Sequence, residues 1–562
     1  MPFAARRATV LLGLLVMAGI VCDRVFWASV SQWREDQATT LWLGLTQPPT
    51  SIPVGLISST GLPNPNGMVV LGALLSRLPS MWTVSAFLGC LQAALVLLLG
   101  WIASANRRGL FVLATAPLLA SVVVRATSVE FWNQSLMSTA NLLFLLWAIL
   151  YLRTPTLGKI PALAGLVIFS PSLYLAGLVN GIAMAAVGAA LLLLSPPPGW
   201  KQGWWKALLL TTGVLAVLVW VVWWPYFRAV TPDQIIAATS PVSGAIRLRQ
   251  AAEAVLRFPF WATTLASDWA SLAIFESSRS VLTQTAERWV EASLVLQLLQ
   301  ATTGLVTLLF VLSRCSWRTV VRQSSLSDTT WLTSRLVMIA VAFVVASYAL
   351  SPLLGGPTWA AGERRDQLTQ FLPLLLIFWF LTPFAVDLPR PARSIARTLT
   401  VTLAIAYTAT SAVAGIAIVQ SHLSYRGDVL TNADVPLVQK MELVDFIAQD
   451  WLSISRADSV PVDYRLGGGQ WDWIAEFGHN LDPWYAAPYT IGRGFDYDLL
   501  RRYGLKNVQE GVQERSFGQG RYLVTYAFEP EPAQPVSPAT HILFGRLRLT
   551  ITETQDASRL LP

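Results

Sequence analysis

A chain of 562 residues that is 54% hydrophobic and only 13% charged, with a mean hydropathy of +0.51, lies outside the soluble globular range and reads as a polytopic membrane protein. Its net charge of +8 is spread through short loops between apolar runs, as the positive-inside rule expects, so it does not argue for a nucleic-acid partner. Cys22, Cys90 and Cys315 sit in or beside apolar runs and imply no disulfide framework.

Crossing about 30 Å of hydrocarbon takes roughly 20 apolar helical residues. Arg6 and Arg7 followed by an apolar run to Cys22 imitate a secretory signal, but Val21 is bulky where lipoprotein cleavage needs a small residue. The run is therefore read as an uncleaved first span, 9–28, with a cytoplasmic N-terminus. Residues 29–67 form a first outer loop, and Met68 to Leu78, too short to cross, is laid on the outer interface. Span 82–104 returns to Arg107 and Arg108, span 109–125 leads out again, and span 135–152 comes back to Arg153 and Lys159.

Spans 160–174 and 176–195 are short, are joined by Ser170-Pro171-Ser172, and end at Pro196-Pro197-Pro198. Span 207–226 opens a long outer loop, 227–291. Span 292–313 returns to Arg314, Arg318 and Arg322, and span 333–354 leads to an outer segment at 355–367. Span 368–387 ends at Arg390, Arg393 and Arg397, and span 398–419 delivers the C-terminus outside. Every turn assigned to the cytoplasm is basic, which supports a bundle of eleven spans.

From 421 to 562 the composition becomes that of an ordinary soluble domain. Met441 to Leu452 has helical periodicity, Val460 to Leu466 and Tyr522 to Phe528 read as strands, and Ile542 to Ile551 alternates as one strand. The expected fold is mainly α, a transmembrane helical bundle over 1–420 carrying a small α/β domain on the outer face. Gly467-Gly468-Gly469 lacks phosphate-loop or dinucleotide spacing and reads as a turn. Trp471, Trp473, Trp484, Tyr485 and Tyr489 suit an interface or a small core as well as a sugar.

Acidic residues gather in the outer segments. The first outer loop carries Glu35 and Asp36, then the turn Pro63-Asn64-Pro65-Asn66-Gly67; the second carries Arg125, Glu130 and Asn133; a later one carries Glu363, Arg364, Arg365 and Asp366. Paired carboxylates just outside a span suit a reaction at the bilayer surface, and they equally suit the first turn of a helix, where negative charge is favoured. His422, His479 and His541 are isolated and form no metal-ligand spacing; no cofactor is implied, and a divalent cation is left open.

A first helix running outward, an acidic pair opening the first outer loop, a Pro/Asn turn into a short apolar helix, many spans and a soluble C-terminal domain together resemble the GT-C class of glycosyltransferases. Within it they are closest to the protein O-mannosyltransferase and lipid A aminoarabinose transferase group. The resemblance covers about 1–420 and is architectural. The class pair is Asp-Glu whereas this chain has Glu35-Asp36, and the turn lacks the class histidine, so both acidic positions stay open as the base, Asp36 first.

The resemblance implies inverting transfer of a sugar from a polyprenyl-phosphate donor to an acceptor lipid, glycan or protein outside the cytoplasm. A phosphate leaving group makes the acid partner of hydrolases unnecessary, and one carboxylate suffices to take the acceptor proton. The departing phosphate needs the permanently charged fork of arginine: Arg364 or Arg365 first, Arg125 second. Glu130, Asn133, Asn64, Asn66, Glu363 and Asp366 are candidates for the acceptor side or cavity. Rival readings are a lipid-linked glycan flippase, which should place charges near the bilayer midplane, and a glycan ligase or polymerase.

Overall fold

The computed structural model describes residues 3–31, 35–48, 51–52, 54–55, 63–104, 107–174, 177–231, 248–249, 329–353, 380–381, 383–384, 390–423, 462–466, 522–528, 540–543 and 547–553. The described chain is mainly helical. In order come α1 (Phe3–Val30), α2 (Glu35–Thr46), α3 (Gly67–Leu75), α4 (Met81–Ser104), α5 (Arg108–Ala120), α6 (Val122–Ser128) and α7 (Asn133–Arg153). They are followed by α8 (Ile160–Leu173), α9 (Leu178–Leu194), α10 (Trp200–Leu218), α11 (Trp224–Ala229), α12 (Thr329–Leu353) and α13 (Arg390–Leu423). Four strands are described: β1 (Val462–Leu466), β2 (Tyr522–Phe528), β3 (Thr540–Leu543) and β4 (Leu547–Glu553).

Three helical stretches among the described residues are long and apolar enough to cross a membrane: Met81–Ser104, Ser135–Arg153 and Gln202–Ala229. They support membrane association. The loop 227–291 beyond Thr231, apart from 248–249, the span 292–313 and most of 368–387 lie outside the described residues, as do Gly355 to Gln367 and the helix expected at Met441 to Leu452.

Contacts divide the chain into two compact units: 1–24 with 48–70 and 88–418, and 25–47 with 71–87 and 419–562. In the first, α7 is well enclosed, with 78% of its span window buried against 11% for the α10–α11 stretch. Phe144, Leu145, Ala148, Ile149 and Tyr151 are fully buried on it. Phe144 meets Phe343 of α12 with ring centroids 4.9 Å apart, and Trp147 stacks on Tyr151 at 5.4 Å. Both polar handles are satisfied by backbone: Trp147 Nε1 donates to Lys159 O (2.8 Å) and Tyr151 Oη to Ser195 O. Lys159 Nζ donates to Leu150 O and Thr154 O, both at 2.7 Å, closing the carbonyl end of α7 as cations do. Partial burial pulls its pKa below the usual lysine value.

Lipid chains give helices little hydrophobic reason to associate, so close packing through small residues carries the bundle. On α9, Gly181 faces the Pro171 ring of α8 and Gly188 faces the Leu163 side chain, where a Cβ would come within 2.5 Å and 2.6 Å respectively. The spacing of seven residues puts both glycines on one face, two turns apart.

The sequence-based spans needed three revisions. The stretch 109–125 is two helices, because Ser121 (φ −52, ψ 126) leaves the helical region and its Oγ accepts from Val124 N (3.3 Å) as the cap of α6. Ser170-Pro171-Ser172 is the last turn of α8, not a junction; the helix ends only after Leu173, since Pro171 lets its own turn finish but supplies no N–H. The alternating stretch Ile542 to Ile551 is divided between two antiparallel strands, β3 and β4, with Leu543 paired to Leu547.

In the second unit, α2 buries Gln37, Thr40, Leu41 and Gly44, the i, i+3, i+4, i+7 stripe of a helix. That stripe meets α3 backbone to backbone: a Cβ on Gly44 would overlap Ala73 N, and one on Gly72 would lie 2.9 Å from Thr40 O. Ser80 caps α4, with Thr83 N donating to Ser80 Oγ (3.2 Å) and Ser80 N to Thr83 Oγ1 (3.0 Å). Trp82 Nε1 reaches back to Ser29 Oγ of α1 (3.0 Å). The four strands form one sheet in the order β1-β2-β4-β3, parallel between β1 and β2 and antiparallel elsewhere. Gly44→Val sets two branches against the Gly72–Ala73 backbone, and overpacking of this kind costs about 1–3 kcal/mol. Thermal unfolding in detergent should show the loss, with Gly13→Val, where a Cβ meets nothing within 4 Å, unchanged.

Candidate functional site

Ser31 closes α1, its N–H (3.4 Å) and Oγ (2.9 Å) both donating to Ala28 O, and Glu35 and Asp36 open α2 four residues on. Two acidic positions in a first turn match the positive end of the helix dipole. At 3.6 residues per turn, position 36 falls about 90° from the centre of the buried stripe, at its border, and position 35 about 170° away, opposite it.

The Pro/Asn turn is tied down in the first unit. Asn66 is fully buried, and its Nδ2 donates to Ile52 O (2.9 Å) and to Val221 O (3.2 Å). Val221 lies in a π-helical turn, Val219–Trp223, between α10 and α11, where the altered hydrogen-bond register leaves a carbonyl for the asparagine. Gly55 N donates to Asn64 O (2.6 Å), and Gly67 presses on Ser172, leaving no room for a side chain. Asn66 therefore ties Ile52 to the α10–α11 stretch, while the Asn64 carbonyl holds Gly55. Asn66→Ala removes two donors from buried carbonyls, an expected loss of about 1–3 kcal/mol readable as a lower detergent melting temperature.

A second polar feature in that unit was not foreseen. Asp23 and Arg24 are adjacent on α1, inside the run assigned to the first span, and Arg125 comes from α6. Asp23 accepts charge from both sides, with Oδ2 3.4 Å from Arg24 Nη1 and Oδ1 3.3 Å from Arg125 Nη1. The break at Ser121 exposes the carbonyls that end α5, groups that need partners. Arg24 Nη2 takes Leu119 O (3.3 Å), and Arg125 takes Ala120 O through Nε (3.0 Å) and Nη2 (2.6 Å). Gly415 of α13 leaves room for the Arg125 guanidinium, which a Cβ there would meet at 3.1 Å. Gly89 of α4 likewise passes the Arg24 stem. A cavity of about 300 Å³ adjoins the cluster.

No family model, curated protein or solved structure matches the chain.

Arg125, a candidate for the donor phosphate, is thus nearly buried and paired with Asp23. Glu130 accepts from Ser135 Oγ (3.4 Å), and Asn133 opens α7. Glu363, Arg364, Arg365 and Asp366 lie outside the described residues. Asp23 and Arg24 had a sequence signal: opposite charges side by side in an apolar run, which in a membrane mark function or a buried pair. Arg335 of α12, only 3% exposed, is a single charge in an apolar run. Among the described residues there is no group of three or more His, Cys, Asp or Glu fit to hold a metal ion.

Proposed function

We propose that the chain is an integral membrane glycosyltransferase that moves a sugar from a polyprenyl-phosphate donor to an acceptor hydroxyl outside the cytoplasm. The observation that carries this reading is the placing of Glu35 and Asp36 in the first turn of a short helix that directly follows the first long apolar one. Locking of that helix onto α3 through Gly44 and Gly72 supports it, because a base must be held to within a fraction of an ångström.

Asp36 is the base in this scheme. The acceptor oxygen attacks the anomeric carbon, its proton passes to the Asp36 carboxylate, and the carbon–oxygen bond to phosphate breaks with the electron pair leaving on phosphate. The sugar is transferred with inversion. Arg364 or Arg365 meets the phosphate charge, with Arg125 second. The eleven-span topology with a cytoplasmic N-terminus and an outer domain over 421–562 belongs to the same proposal.

A second reading, flipping of a lipid-linked glycan, draws on the Asp23–Arg24–Arg125 cluster, since transporters bury charges among their spans. Detergent-solubilised chain separates the two. Release of free polyprenyl phosphate from a labelled donor, dependent on added acceptor, is expected for a transferase and needs no sealed membrane. Its absence in micelles together with donor movement across sealed vesicles would replace transfer by transport.

A further inference from the structure

Apart from Arg125, the second choice for the donor phosphate, the cavity beside Arg24 has no task in the transfer chemistry above. Its polar end is formed by Asp23, Arg24 and Arg125, and its wall on α1 by Val16, Gly19 and Ile20. Arg24 is 1% exposed, yet its Nε and Nη1 make no hydrogen bond; only Nη2 does, to Leu119 O. The Asp23 carboxylate, its ion-pair partner, is shared with Arg125. A guanidinium carries five N–H donors in a planar fork that matches the oxygens of a phosphate. Leaving such donors dry is costly in an apolar interior, and an oxyanion satisfies them.

The wall has the opposite character. Val16 is 53% exposed, and a Cβ on Gly19 would meet nothing within 4 Å, so two turns of α1 present an open apolar strip ending at the arginines. A ligand that fits both halves has an anionic, oxygen-rich head and a hydrocarbon chain. We propose that this cavity binds the phosphate headgroup of a membrane lipid, its oxygens on the Arg24 guanidinium and its chain along Val16, Gly19 and Ile20. The site stands whether or not the chain transfers a sugar, because Arg24 and Gly19 take no part in that scheme.

The test uses the full chain, delipidated in detergent, titrated with phosphatidylglycerol, polyprenyl phosphate, uncharged diacylglycerol and inorganic phosphate. At least one lipid phosphate should bind about tenfold or more tighter than diacylglycerol, as charge-assisted hydrogen bonds imply, and the tighter of the two names the source. Arg24→Gln should erase that preference. Gly19→Leu, whose Cβ meets nothing within 4 Å and whose side chain occupies the strip, should weaken both lipid phosphates while the melting temperature holds, and it keeps the test decisive if Arg24→Gln does not fold. Equal binding of diacylglycerol, inorganic phosphate binding as tightly as the lipids, no lipid binding at all, or lipid binding unchanged in Gly19→Leu would each overturn the site.

Discussion

With Asp36 as the proposed base, Asp36→Asn should lower the rate of sugar transfer by about 10²–10⁴-fold, the usual contribution of a positioned general base. Asparagine keeps the size and the first-turn position but cannot take a proton, so donor binding should hold while kcat falls. Glu35→Gln should leave the rate within the same order of magnitude, because position 35 lies on the side of α2 away from the stripe that meets α3. Single-turnover transfer at saturating donor measures both. Equal losses for the two variants would mean that the pair acts through the charge of the helix end and not through one base.

Asp23→Asn should destabilise the protein by about 3 kcal/mol, the lower end of the cost of breaking a buried ion pair, because Asp23 itself is one-third exposed. Its loss leaves the Arg24 charge, 1% exposed, without a counter-charge and takes an ion pair from Arg125. Asp23→Leu with Arg24→Met in one chain should recover part of the loss, since apolar groups of similar volume can replace a buried pair at little cost. Melting temperatures in detergent, with circular dichroism for helix content, read the difference. A double variant less stable than Asp23→Asn would show that Arg24 contributes through more than its pairing with Asp23.

What was legible in the sequence was what a single helix encodes locally. The end of α1 and both ends of α4 and α7 follow from apolar run length and flanking arginines, whereas α1 begins at Phe3, ahead of Arg6 and Arg7; the shortness of α3 was visible in the run from Met68. The break at Ser121 was not, because its flanks, Pro117 to Ala120 and Val122 to Val124, are apolar and a run-length reading passes over one serine. Carbonyls freed by that break are what Arg24 and Arg125 bind, so missing the break also hid the cluster. Its members lie 102 positions apart between Asp23 and Arg125, a separation at which periodicity carries no signal. The clasp from Asn66 to Val221 depends on a π-helical turn in a stretch of Val and Trp that looks, in sequence, like any other part of the span. Asp36 was placed ahead of Glu35 from the sequence, and the described residues add only that both lie in the first turn of α2.

The central claim is tested most directly by reconstituting the purified chain with a labelled polyprenyl-phosphate sugar and an acceptor preparation, comparing the unaltered protein with the Glu35→Ala, Asp36→Ala double variant. The account predicts that label leaves the donor with the unaltered protein and stays on it with the double variant, at matched folding and donor binding. Equal transfer by the two proteins would contradict it.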